Sequence, residues 1–457
     1  MTHANLRLTW YGDDFSGSTD VMEALTLAGL RAVLFLSPPQ PEALSGRFAG
    51  LHAVGVAGTS RAMTPEQMEA ELRPKFAALK ALGAPLCHYK TCSTFDSSPE
   101  IGSIGRAIDI GAEIFASRPV PLIVGAPALR RYLVFGNLFA TVGAETFRLD
   151  RHPTMSKHPV TPMDEGDLRL HLNKQTDKSI GLLDVLHLAG SLEAVEANWS
   201  QLKKSDPDII LFDTLDQPHL SKVGRLIWEH RPDGPGFVAG SSGLEYALTA
   251  YWREAGLLPE AKPFLSAGRV DQTIIMSGSA SPVTAGQIDW SSRNGFALIR
   301  LDSTRLIDRE VVQAEIDRAI REALKALGAA QSVVLYTANG PNDPALATTR
   351  ERAKALTLSA EEGGRRIGRA QGMIMRELLL ETGIRRACIA GGDTSSYAAP
   401  QLGIVALEMI VPTAPGSPLC RASTQEPALE GLEIALKGGQ VGKEDYFGVI
   451  RDGGIPV

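Results

Sequence analysis

The sequence predicts an α/β protein of two domains, each a mainly parallel sheet flanked by helices. Three observations lead to this fold class. The 457 residues exceed the length over which a single core normally grows. Short apolar runs alternate with longer amphipathic stretches along the chain, as they do where right-handed crossovers build parallel sheets. Residues 253–270 interrupt this alternation with two glycines and two prolines. We therefore expect domains over residues 1–252 and 271–457, joined by a linker over 253–270.

Short apolar runs in the first domain predict its strands, and the amphipathic or capped stretches between them predict its helices. The predicted strands are residues 6–10, 32–36, 53–56, 86–89, 122–124, 184–188, 209–212 and 237–239. The predicted helices are residues 21–28, 65–82, 103–116, 164–175, 191–203, 219–229 and 244–252. Residues 127–162 remain as a long connection, and a loop of that length inside a domain is usually functional.

The second domain repeats the alternation and predicts a sheet of about five strands covered by helices. The predicted strands are residues 273–276, 297–301, 333–336, 387–390 and 405–410. The predicted helices are residues 283–293, 310–327 and 361–381. No repeat at solenoid spacing and no low-complexity tract interrupts the series.

Composition narrows the class of protein. Hydrophobic residues make up 44% and charged residues 21% of the chain, as in ordinary globular proteins. The net charge of −6 argues against nucleic acid or an anionic membrane as the main partner. The sequence contains no apolar run long enough to span a membrane, and its start lacks the pattern of a secretory signal. We therefore expect a cytoplasmic protein. Its four cysteines form no CxxC pair, so neither a disulfide framework nor a structural zinc site is expected.

Two adjacent carboxylates, Asp13 and Asp14, directly follow the first predicted strand. They stand in the run Gly12-Asp13-Asp14-Phe15-Ser16-Gly17, where a strand ends and a helix begins. In open α/β sheets this position faces the crevice in which ligands bind. A turn of this kind is able to hold a polyhydroxylated substrate and to offer a carboxylate that accepts a proton. An acidic, capped surface turn explains the same residues.

Polar residues also follow two neighbouring strands. The run from Lys90 to Asp96 combines one cation, one carboxylate and several hydroxyls, so Lys90 is suited to neutralise a carboxylate substrate and the hydroxyls to bind its alcohol groups. A capped loop with Lys90 paired to Asp96 is the alternative. Arg61 follows the strand at 53–56 and is a candidate for bidentate binding of a carboxylate, although a solvated arginine fits equally.

The segment 150–163 is dense in polar groups and prolines. Its two histidines, His152 and His158, do not match a metalloprotease helix, which the prolines forbid. Prolines fix backbone dihedrals and so preset a binding loop at lower entropic cost. We interpret the segment as a rigid substrate loop or interdomain loop rather than as a metal pair.

Glycine-rich strand ends in the second domain favour a nucleotide site. Ser277 begins a run that enters a helix at Pro282 with Ser281 as N-cap, and amides at a helix N-terminus suit a phosphate. The run 390–396 repeats the arrangement with Asp393 inserted, a residue able to hold Mg²⁺ through water or to orient phosphates. A third loop covers residues 437–443. The sequence contains no GxxxxGK[ST], GxGxxG or GxSxG motif.

At this point the motifs are similar to those of a known family. The chain resembles the four-carbon acid sugar kinases, long grouped as a domain of unknown function, over nearly its whole length. Seven motifs carry the resemblance, and they are Asp13-Asp14-Phe15-Ser16-Gly17, Lys90-Thr91-Cys92-Ser93-Thr94-Phe95-Asp96-Ser97, His158-Pro159-Val160-Thr161-Pro162-Met163, Ala239-Gly240-Ser241-Ser242-Gly243-Leu244, Ser277-Gly278-Ser279, Gly391-Gly392-Asp393-Thr394 and the loop from Lys437 to Gly442. The residues of the second and third motifs are most similar to those of the 3-oxo-tetronate kinase branch.

The resemblance implies an N-terminal acid-sugar domain, a C-terminal nucleotide domain and a reaction in the cleft between them. Such enzymes use ATP, with Mg²⁺, to phosphorylate the terminal hydroxyl of a tetronate or oxo-tetronate in acid-sugar catabolism. Carried over by motif, the ATP contacts are Ser277, Gly391, Gly392, Asp393, Thr394 and Gly439. The residues after Asp96 depart from the family pattern, which leaves the particular sugar acid open. Gly438, Gln440 and Val441 also depart from it, and this milder change concerns the fit of the nucleotide.

From these parts we hypothesise a phosphoryl transfer in which alignment and charge neutralisation dominate. Lys90 and Arg61 would anchor the sugar carboxylate, and Ser93, Thr94 and Asp96 would bind its hydroxyls. Asp14 would face the terminal hydroxyl with Asp13 beside it, and Asp393 would act on the ATP side. The alternatives are a kinase of another small hydroxy acid and a non-catalytic sensor of sugar acids that binds nucleotide. The oligomeric state is left open, a homo-oligomer included.

Overall fold

Mainly parallel sheets flanked by helices organise the chain, as the sequence predicts. They are seen in a computed structural model that describes residues 5–158, 160–260 and 263–454. The chain divides into two units. The first unit comprises Met1–Ala32 and Ser37–Ala261, and the second comprises Val33–Leu36 and Lys262–Val457. The division therefore places one short segment from the N-terminal part of the chain in the second unit.

The strands and helices are numbered in chain order. The strands are β1 (Leu8–Gly12), β2 (Ala32–Phe35), β3 (Ala53–Ala57), β4 (Leu86–Lys90), β5 (Val120–Ile123), β6 (Arg131–Val134), β7 (Asn137–Val142), β8 (Glu145–Arg148), β9 (Ile180–Leu183), β10 (Ile209–Phe212), β11 (Gly236–Gly240), β12 (Ile274–Ser277), β13 (Phe296–Arg300), β14 (Ser332–Tyr336), β15 (Arg386–Ala390), β16 (Ile404–Val411), β17 (Leu419–Thr424) and β18 (Glu433–Lys437). The helices are α1 (Phe15–Leu27), α2 (Pro41–Ser45), α3 (Pro65–Ala81), α4 (Ile104–Phe115), α5 (Leu168–Leu172), α6 (Leu192–Lys203), α7 (Gln217–Glu229), α8 (Gly243–Glu254), α9 (Pro282–Ser292), α10 (Ser303–Leu306), α11 (Val312–Gly328), α12 (Pro344–Ala355), α13 (Ala360–Thr382), α14 (Gly392–Ala398) and α15 (Tyr446–Asp452).

The main sheet of the first unit is parallel throughout, with the strand order β3-β1-β4-β11-β5-β10-β9. Its central strands are buried on both faces, as parallel strands covered by helices are expected to be. Trp10, Tyr89 and Phe237 are among its fully buried side chains. Because all strands run the same way, the loops that follow them meet at one edge of the sheet.

The second unit combines parallel and antiparallel strands. Strands β13, β14, β12, β15 and β18 are parallel in that order, and β17, β16 and β2 continue the sheet antiparallel. The expected sheet of about five strands is therefore too small. Strands β17 and β18 and helices α12 and α15 lie outside the predicted elements. Strand β2 pairs with β16 through Val33, Leu34 and Phe35, contacts between residues far apart in the sequence.

Three predicted elements of the first unit are wrong in position or extent. The helix expected at 21–28 begins at Phe15, because Asp14 is its N-cap. The strand expected at 184–188 lies instead at Ile180–Leu183, because the Asp184 carboxylate accepts hydrogen bonds from the amides of Leu186 and His187 and closes a turn. The helix expected at 164–175 is reduced to α5. Its first residues are held elsewhere, since Leu138 N donates to Gly166 O at 2.9 Å.

The long connection at 127–162 contains a small antiparallel sheet that the sequence reading missed. Its order is β6-β7-β8. Phe135 and Gly136 form the two-residue turn between β6 and β7, with φ values of 51° and 77°. A glycine in a two-residue turn between strands of alternating apolar residues indicates a hairpin, so Gly136 was the signal in the sequence that could have predicted this sheet. Among the described residues, no helix has the length and apolarity that a membrane span requires.

Candidate functional site

The carboxyl edge of the first sheet brings together the polar loops that the sequence singled out. Strand pairing aligns the last residues of five neighbouring strands, which are Ala57, Gly12, Lys90, Gly240 and Ile123. Backbone hydrogen bonds then join the loops beyond them. Asp13 N donates to Lys90 O at 2.9 Å, and Arg61 N donates to Asp13 O at 3.1 Å. The predicted residues Asp13, Arg61 and Lys90 therefore lie in adjoining loops.

Arg61 binds both carboxylates of the Asp13-Asp14 pair. Its Nε and one terminal nitrogen donate to the two oxygens of Asp13 at 3.1 and 2.8 Å, and its other terminal nitrogen lies 2.9 Å from Asp14 Oδ2. Burial raises the pKa of Asp13, against the opposing effect of Arg61. Burial alone would lower the pKa of Arg61, but Asp13 and Asp14 raise it. The charge of Arg61 is therefore already neutralised by the two aspartates of the protein.

Asp14 is also the N-cap of α1. Its Oδ1 accepts from Gly17 N at 2.6 Å, and its Oδ2 accepts from the Ser16 hydroxyl at 2.8 Å. About one fifth of its side chain is exposed, at 21%, against 5% for Asp13. Asp14 is thus the more accessible of the two carboxylates. Both expected functions of this turn, capping and presentation of a carboxylate, fit its geometry.

Lys90 is buried at the end of β4 rather than paired with Asp96. Its ammonium donates to Thr91 O at 2.9 Å and lies 3.7 Å from Asp20 Oδ2. Burial alone would lower the pKa of Lys90, but Asp20 and Asp13 raise it. Asp20 on α1 is therefore the partner of this lysine, and the sequence spacing of the two residues does not reveal the pair.

The loop after Lys90 is fixed by its own side chains. Thr94 Oγ1 donates to Asp96 Oδ1 at 2.6 Å, and Cys92 Sγ lies 2.9 Å from Thr94 Oγ1. Ser93 is half-buried, and Phe95 adopts φ 53°, a left-handed conformation. Burial would raise the pKa of Asp96, but Arg61 and the Thr94 hydroxyl lower it, so the carboxylate is held in its charged form.

Ser97, His171 and Gln175 form a buried network beneath this loop that the sequence reading missed. His171 Nε2 lies 3.0 Å from Ser97 Oγ and 3.1 Å from Gln175 Nε2, which also donates to Ser97 Oγ at 2.9 Å. Because the amide nitrogen is a donor, His171 Nε2 must be an acceptor and the ring neutral. Burial lowers the pKa of His171 from 6.5 to about 4, in agreement. Seventy-four residues separate Ser97 from His171, so no local pattern reveals the pair.

The two histidines of segment 150–163 have separate partners. His152 Nδ1 accepts from the amides of Thr154 and Met155 at 3.2 and 3.1 Å. His158 Nδ1 accepts from the amide of Thr161 at 3.1 Å, and the charge of His158 lowers the pKa of Asp96 after the larger effects of burial, Arg61 and neighbouring hydrogen bonds. Pro159 of the same motif lies outside the described residues. His158 therefore lies close enough to Asp96 to affect its pKa, and the role of the segment as a substrate loop stays a prediction.

The predicted nucleotide residues converge in the second unit. Strand pairing aligns Ser277, Ala390 and Lys437 at the carboxyl ends of β12, β15 and β18. Gly278 N donates to Ala390 O at 3.0 Å, and Gly391 N donates to Lys437 O at 2.9 Å. All three glycine-rich loops are therefore joined side by side.

Two glycines of these loops leave no room for a side chain. A Cβ at Gly278 would lie 2.0 Å from Thr394 Oγ1, and one at Gly439 would lie 2.5 Å from Ser279 Oγ. Gly391 has φ 124°, which other residues rarely adopt. The Ser277 hydroxyl is buried with no hydrogen-bond partner among the described residues. The glycines therefore let the loops pack closely against one another, and the buried Ser277 hydroxyl, which lacks an acceptor among the described residues, is suited to bind a phosphate oxygen.

Lys437 supports the third loop from beneath. It is fully buried and donates to Thr284 Oγ1 at 3.1 Å and to Gly438 O at 3.0 Å. Burial lowers its pKa from 10.5 to about 8. Thr284 Oγ1 in turn donates to Gly439 O at 2.8 Å, so the amine and the hydroxyl together set the path of the loop.

Asp393 lies exposed in the first turn of α14. Within the described ranges, no group of three or more His, Cys, Asp or Glu side chains is arranged to hold a metal ion. Mg²⁺ in phosphate sites commonly takes only one or two protein carboxylates, with phosphates and water as its other ligands. The single carboxylate of Asp393 fits that pattern and not a protein-only metal site.

Comparison with known families matches a domain to each part of the chain. Residues 8–248 match the family described as a sugar-binding N-terminal domain, and residues 274–447 match the nucleotide-binding C-terminal domain. The carboxylate and cation cluster lies within the first match, and the glycine loops lie within the second.

Relatives that match over nearly the whole chain agree with this assignment, and solved structures share the fold. The chain is 48% identical over 450 residues to a 3-oxo-isoapionate kinase of Paraburkholderia graminis, covering 98% of this chain and 95% of that one. It is 30% identical over 454 residues to a 3-oxo-tetronate kinase of Pseudomonas fluorescens, covering 98% and 97%. A crystal structure from Salmonella typhimurium LT2 has the same fold, with a TM-score of 0.75, 23% identity and coverage of 96% and 98%. One from Haemophilus influenzae has a TM-score of 0.71, 24% identity and coverage of 97% and 99%.

Proposed function

Because the chain belongs to the four-carbon acid sugar kinase family and is a phosphotransferase, we propose that it transfers the γ-phosphoryl group of ATP to the terminal hydroxyl of a 3-oxo acid sugar. The observation that carries this proposal is the pair of strand-end clusters. One presents carboxylates and cations suited to a small hydroxylated anion, and the other presents glycine loops suited to a phosphate chain.

We propose 3-oxo-isoapionate as the preferred acceptor and 3-oxo-tetronate as the second. The 3-oxo-isoapionate kinase shares 48% of its residues with this chain, against 30% for the 3-oxo-tetronate kinase. This sequence departs from the family pattern directly after Asp96. We expect these residues to affect the choice of acceptor, because the Ser97 network supports the loop that contains Asp96.

The proposed reaction is an in-line displacement at phosphorus. The terminal hydroxyl oxygen of the acid sugar forms a bond to the γ-phosphorus, the bond from that phosphorus to the β,γ-bridging oxygen breaks, and ADP leaves. Asp14 accepts the hydroxyl proton, since it is the more exposed carboxylate of its pair. Arg61 holds Asp14 in place and offers its remaining N–H groups to the acceptor.

The second unit positions the nucleotide in this proposal. Backbone at Gly278, Gly391 and Gly439 approaches the phosphates closely, and the Ser277 hydroxyl donates to one of them. Mg²⁺, held through Asp393 and the phosphates, would neutralise the charge that develops on the transferred group. Lys437 acts on the nucleotide only through the loop that it supports.

An assay that couples ADP release to NADH oxidation tests the proposal. The panel contains freshly generated 3-oxo-isoapionate and 3-oxo-tetronate, with threonate and erythronate as four-carbon acids lacking the oxo group. We expect the highest kcat/KM with 3-oxo-isoapionate, and phosphorus NMR should place the phosphate on the terminal hydroxyl. ADP release that depends on none of these acids would overturn the proposal. A clear preference for another hydroxy acid would retain the phosphotransfer and replace the acceptor.

A further inference from the structure

The small sheet β6-β7-β8 presents a cation and a histidine on one face. Arg131 pairs with Ala140 on β7, and Ala140 pairs with Phe147 on β8. Side chains of directly paired residues lie on the same face of a sheet, so Arg131 and Phe147 share a face. The Phe147 ring meets the His152 ring edge-on, with centroids 6.2 Å apart. Arg131 and His152 are therefore brought to the same surface of this sheet.

His152 holds a buried N–H group with no acceptor. Its Nδ1 accepts from the amides of Thr154 and Met155, so the proton of the neutral ring must be on Nε2. Nε2 is buried and has no partner among the described residues, and the whole side chain is 4% exposed. Burial lowers the pKa of His152, and the charge of Arg131 lowers it further. Leaving such a donor unpaired costs about 1–3 kcal/mol, which a bound acceptor would recover.

Arg131 differs from Arg61 and Lys90 because it has no carboxylate partner within residues 5–158, 160–260 and 263–454. Its terminal nitrogen Nη1 donates to the carbonyls of Leu129 and Arg130 at 3.1 and 3.2 Å, and its Nε is buried without an acceptor in the described part of the chain. Burial lowers its pKa. Its backbone pairs with Ala126 through hydrogen bonds of 2.9 and 3.2 Å, three residues beyond the end of β5, at the carboxyl edge of the sheet that also carries Lys90. Arg61 and Lys90, by contrast, already face Asp13, Asp14 and Asp20.

We propose that Arg131 and His152 bind the carboxylate of the acid sugar at the carboxyl edge of the first sheet. This inference rests on the proposed function and names the part of the site that receives the anionic end of the substrate. The cluster at the sheet edge contains the carboxylates Asp13, Asp14, Asp20 and Asp96 against the two cations Arg61 and Lys90. An anionic substrate therefore needs a cation from elsewhere, and Arg131 lies at the same sheet edge with no carboxylate partner among the described residues.

The first test compares each acid with its own carboxamide, which keeps the shape and removes the charge. In Arg131→Gln we expect kcat/KM for the acid to fall about 10- to 100-fold, the range for a hydrogen bond to a charged group. The value for the carboxamide should change less than about threefold, and the KM for ATP should not change. Arg130→Gln is the matched control, because it removes the neighbouring exposed cation and should leave both values intact.

The second test separates binding from support of the loop. In His152→Asn the amide oxygen retains an acceptor for Thr154 and Met155, and the donor at Nε2 is lost. We expect about a tenfold loss for the acid and little loss for the carboxamide. Arg131→Lys keeps the charge and should recover part of the activity that Arg131→Gln loses.

Equal losses for acid and carboxamide in both variants would overturn the inference and indicate a structural role. No loss of activity in either variant would also overturn it. If the wild-type enzyme phosphorylates no acid of the panel, the proposed function fails. The inference is then decided by isothermal titration of threonate. Binding that Arg131→Gln abolishes and Arg130→Gln retains supports it, and equal binding by wild type and Arg131→Gln overturns it.

Discussion

At the scale of single residues, carboxylates at the edge of the first sheet have a structural role and a proposed chemical role at once. Asp14 caps α1, binds Arg61 and is the proposed proton acceptor. Asp13 is fully engaged by Arg61, and Asp96 is held by Thr94. A substitution that removes one function and keeps the other is therefore needed to assign roles.

Asp14→Asn is such a substitution, because asparagine is as good an N-cap as aspartate. We expect kcat to fall about 100- to 10,000-fold, the range for loss of a general base. Nucleotide affinity, measured by titration with ADP, should stay within about twofold, and the midpoint of thermal unfolding should change little.

The control for this variant is Asp216→Asn. Asp216 is the N-cap of α7, where its side chain accepts from His219 N at 3.0 Å, so the chemical change is the same. Full activity in Asp216→Asn together with near-normal turnover in Asp14→Asn would remove Asp14 from the mechanism.

The buried ring of His171 is expected to lower the free energy of unfolding at acidic pH. Its pKa is lowered by burial from 6.5 to about 4 in the folded protein. Between those two values the unfolded chain binds a proton that the folded chain does not, so stability falls as the pH drops from 6.5 to 4. The full effect is about 3 kcal/mol.

Urea unfolding of wild type and His171→Asn at pH 7, 5.5 and 4.5 measures this effect. The variant lacks the titrating ring, so the stability advantage of the wild type should shrink by up to about 3 kcal/mol as the pH falls. A constant difference between the two proteins across this pH range would refute the assignment.

At the scale of elements, the site depends on how strands end. Gly240 closes β11 with φ 145°, and a Cβ there would lie 1.8 Å from Ile123 O on β5. Its carbonyl accepts from Thr91 N at 2.6 Å and faces His88 Nε2 at 3.1 Å. His88 Nδ1 lies 2.7 Å from Glu245 Oε1 on α8. One glycine therefore joins three strands and a helix beneath the Lys90 loop.

Gly240→Ala should destabilise the protein by about 3 kcal/mol or more, since it adds both backbone strain and a clash with main chain. Denaturant unfolding measures the change. Gly234→Ala is the matched control in the same segment, because Gly234 is exposed and a Cβ there meets nothing within 4 Å. Equal stability of the two variants would show that the close approach at Gly240 is relieved at little cost.

At the scale of the whole molecule, the N-terminal part of the chain supplies a strand to the second unit. Val33, Leu34 and Phe35 on β2 pair antiparallel with Glu408, Leu407 and Ala406 on β16. Leu36 N also donates to Val405 O at 3.1 Å. The stability of β16 therefore depends on residues about 370 positions earlier in the sequence.

Leu34→Ala tests this dependence. Leu34 is fully buried, so its truncation should cost about 2–5 kcal/mol. Amide hydrogen exchange should show reduced protection in Ile404–Val411. Leu27→Ala, which truncates a leucine that is 45% exposed, should leave that segment protected. Unchanged exchange of β16 in Leu34→Ala would contradict the role of β2.

The sequence alone was sufficient for the parts of this protein that local pattern encodes. Strand β10 lies at its predicted bounds, because a run of four apolar residues between turn residues is typical of a buried strand. Strands β17 and β18 were not predicted, because Arg421 and two hydroxyl residues interrupt the apolar pattern of β17. In β18, Glu433 and Lys437 flank only three apolar residues. The Asp13-Asp14 turn and the glycine loops were found because strand ends followed by small or acidic residues have a known geometric meaning.

What the sequence by itself determined is therefore the α/β class, the strand ends that carry polar loops and the family. Only the tertiary structure decided which charges neutralise one another. Arg61 is taken by Asp13 and Asp14, and Lys90 by Asp20, while Arg131 has no carboxylate partner in the described chain. The physical reason is that ion pairing depends on separations of a few ångströms between side chains, which strand order and register set and sequence spacing does not.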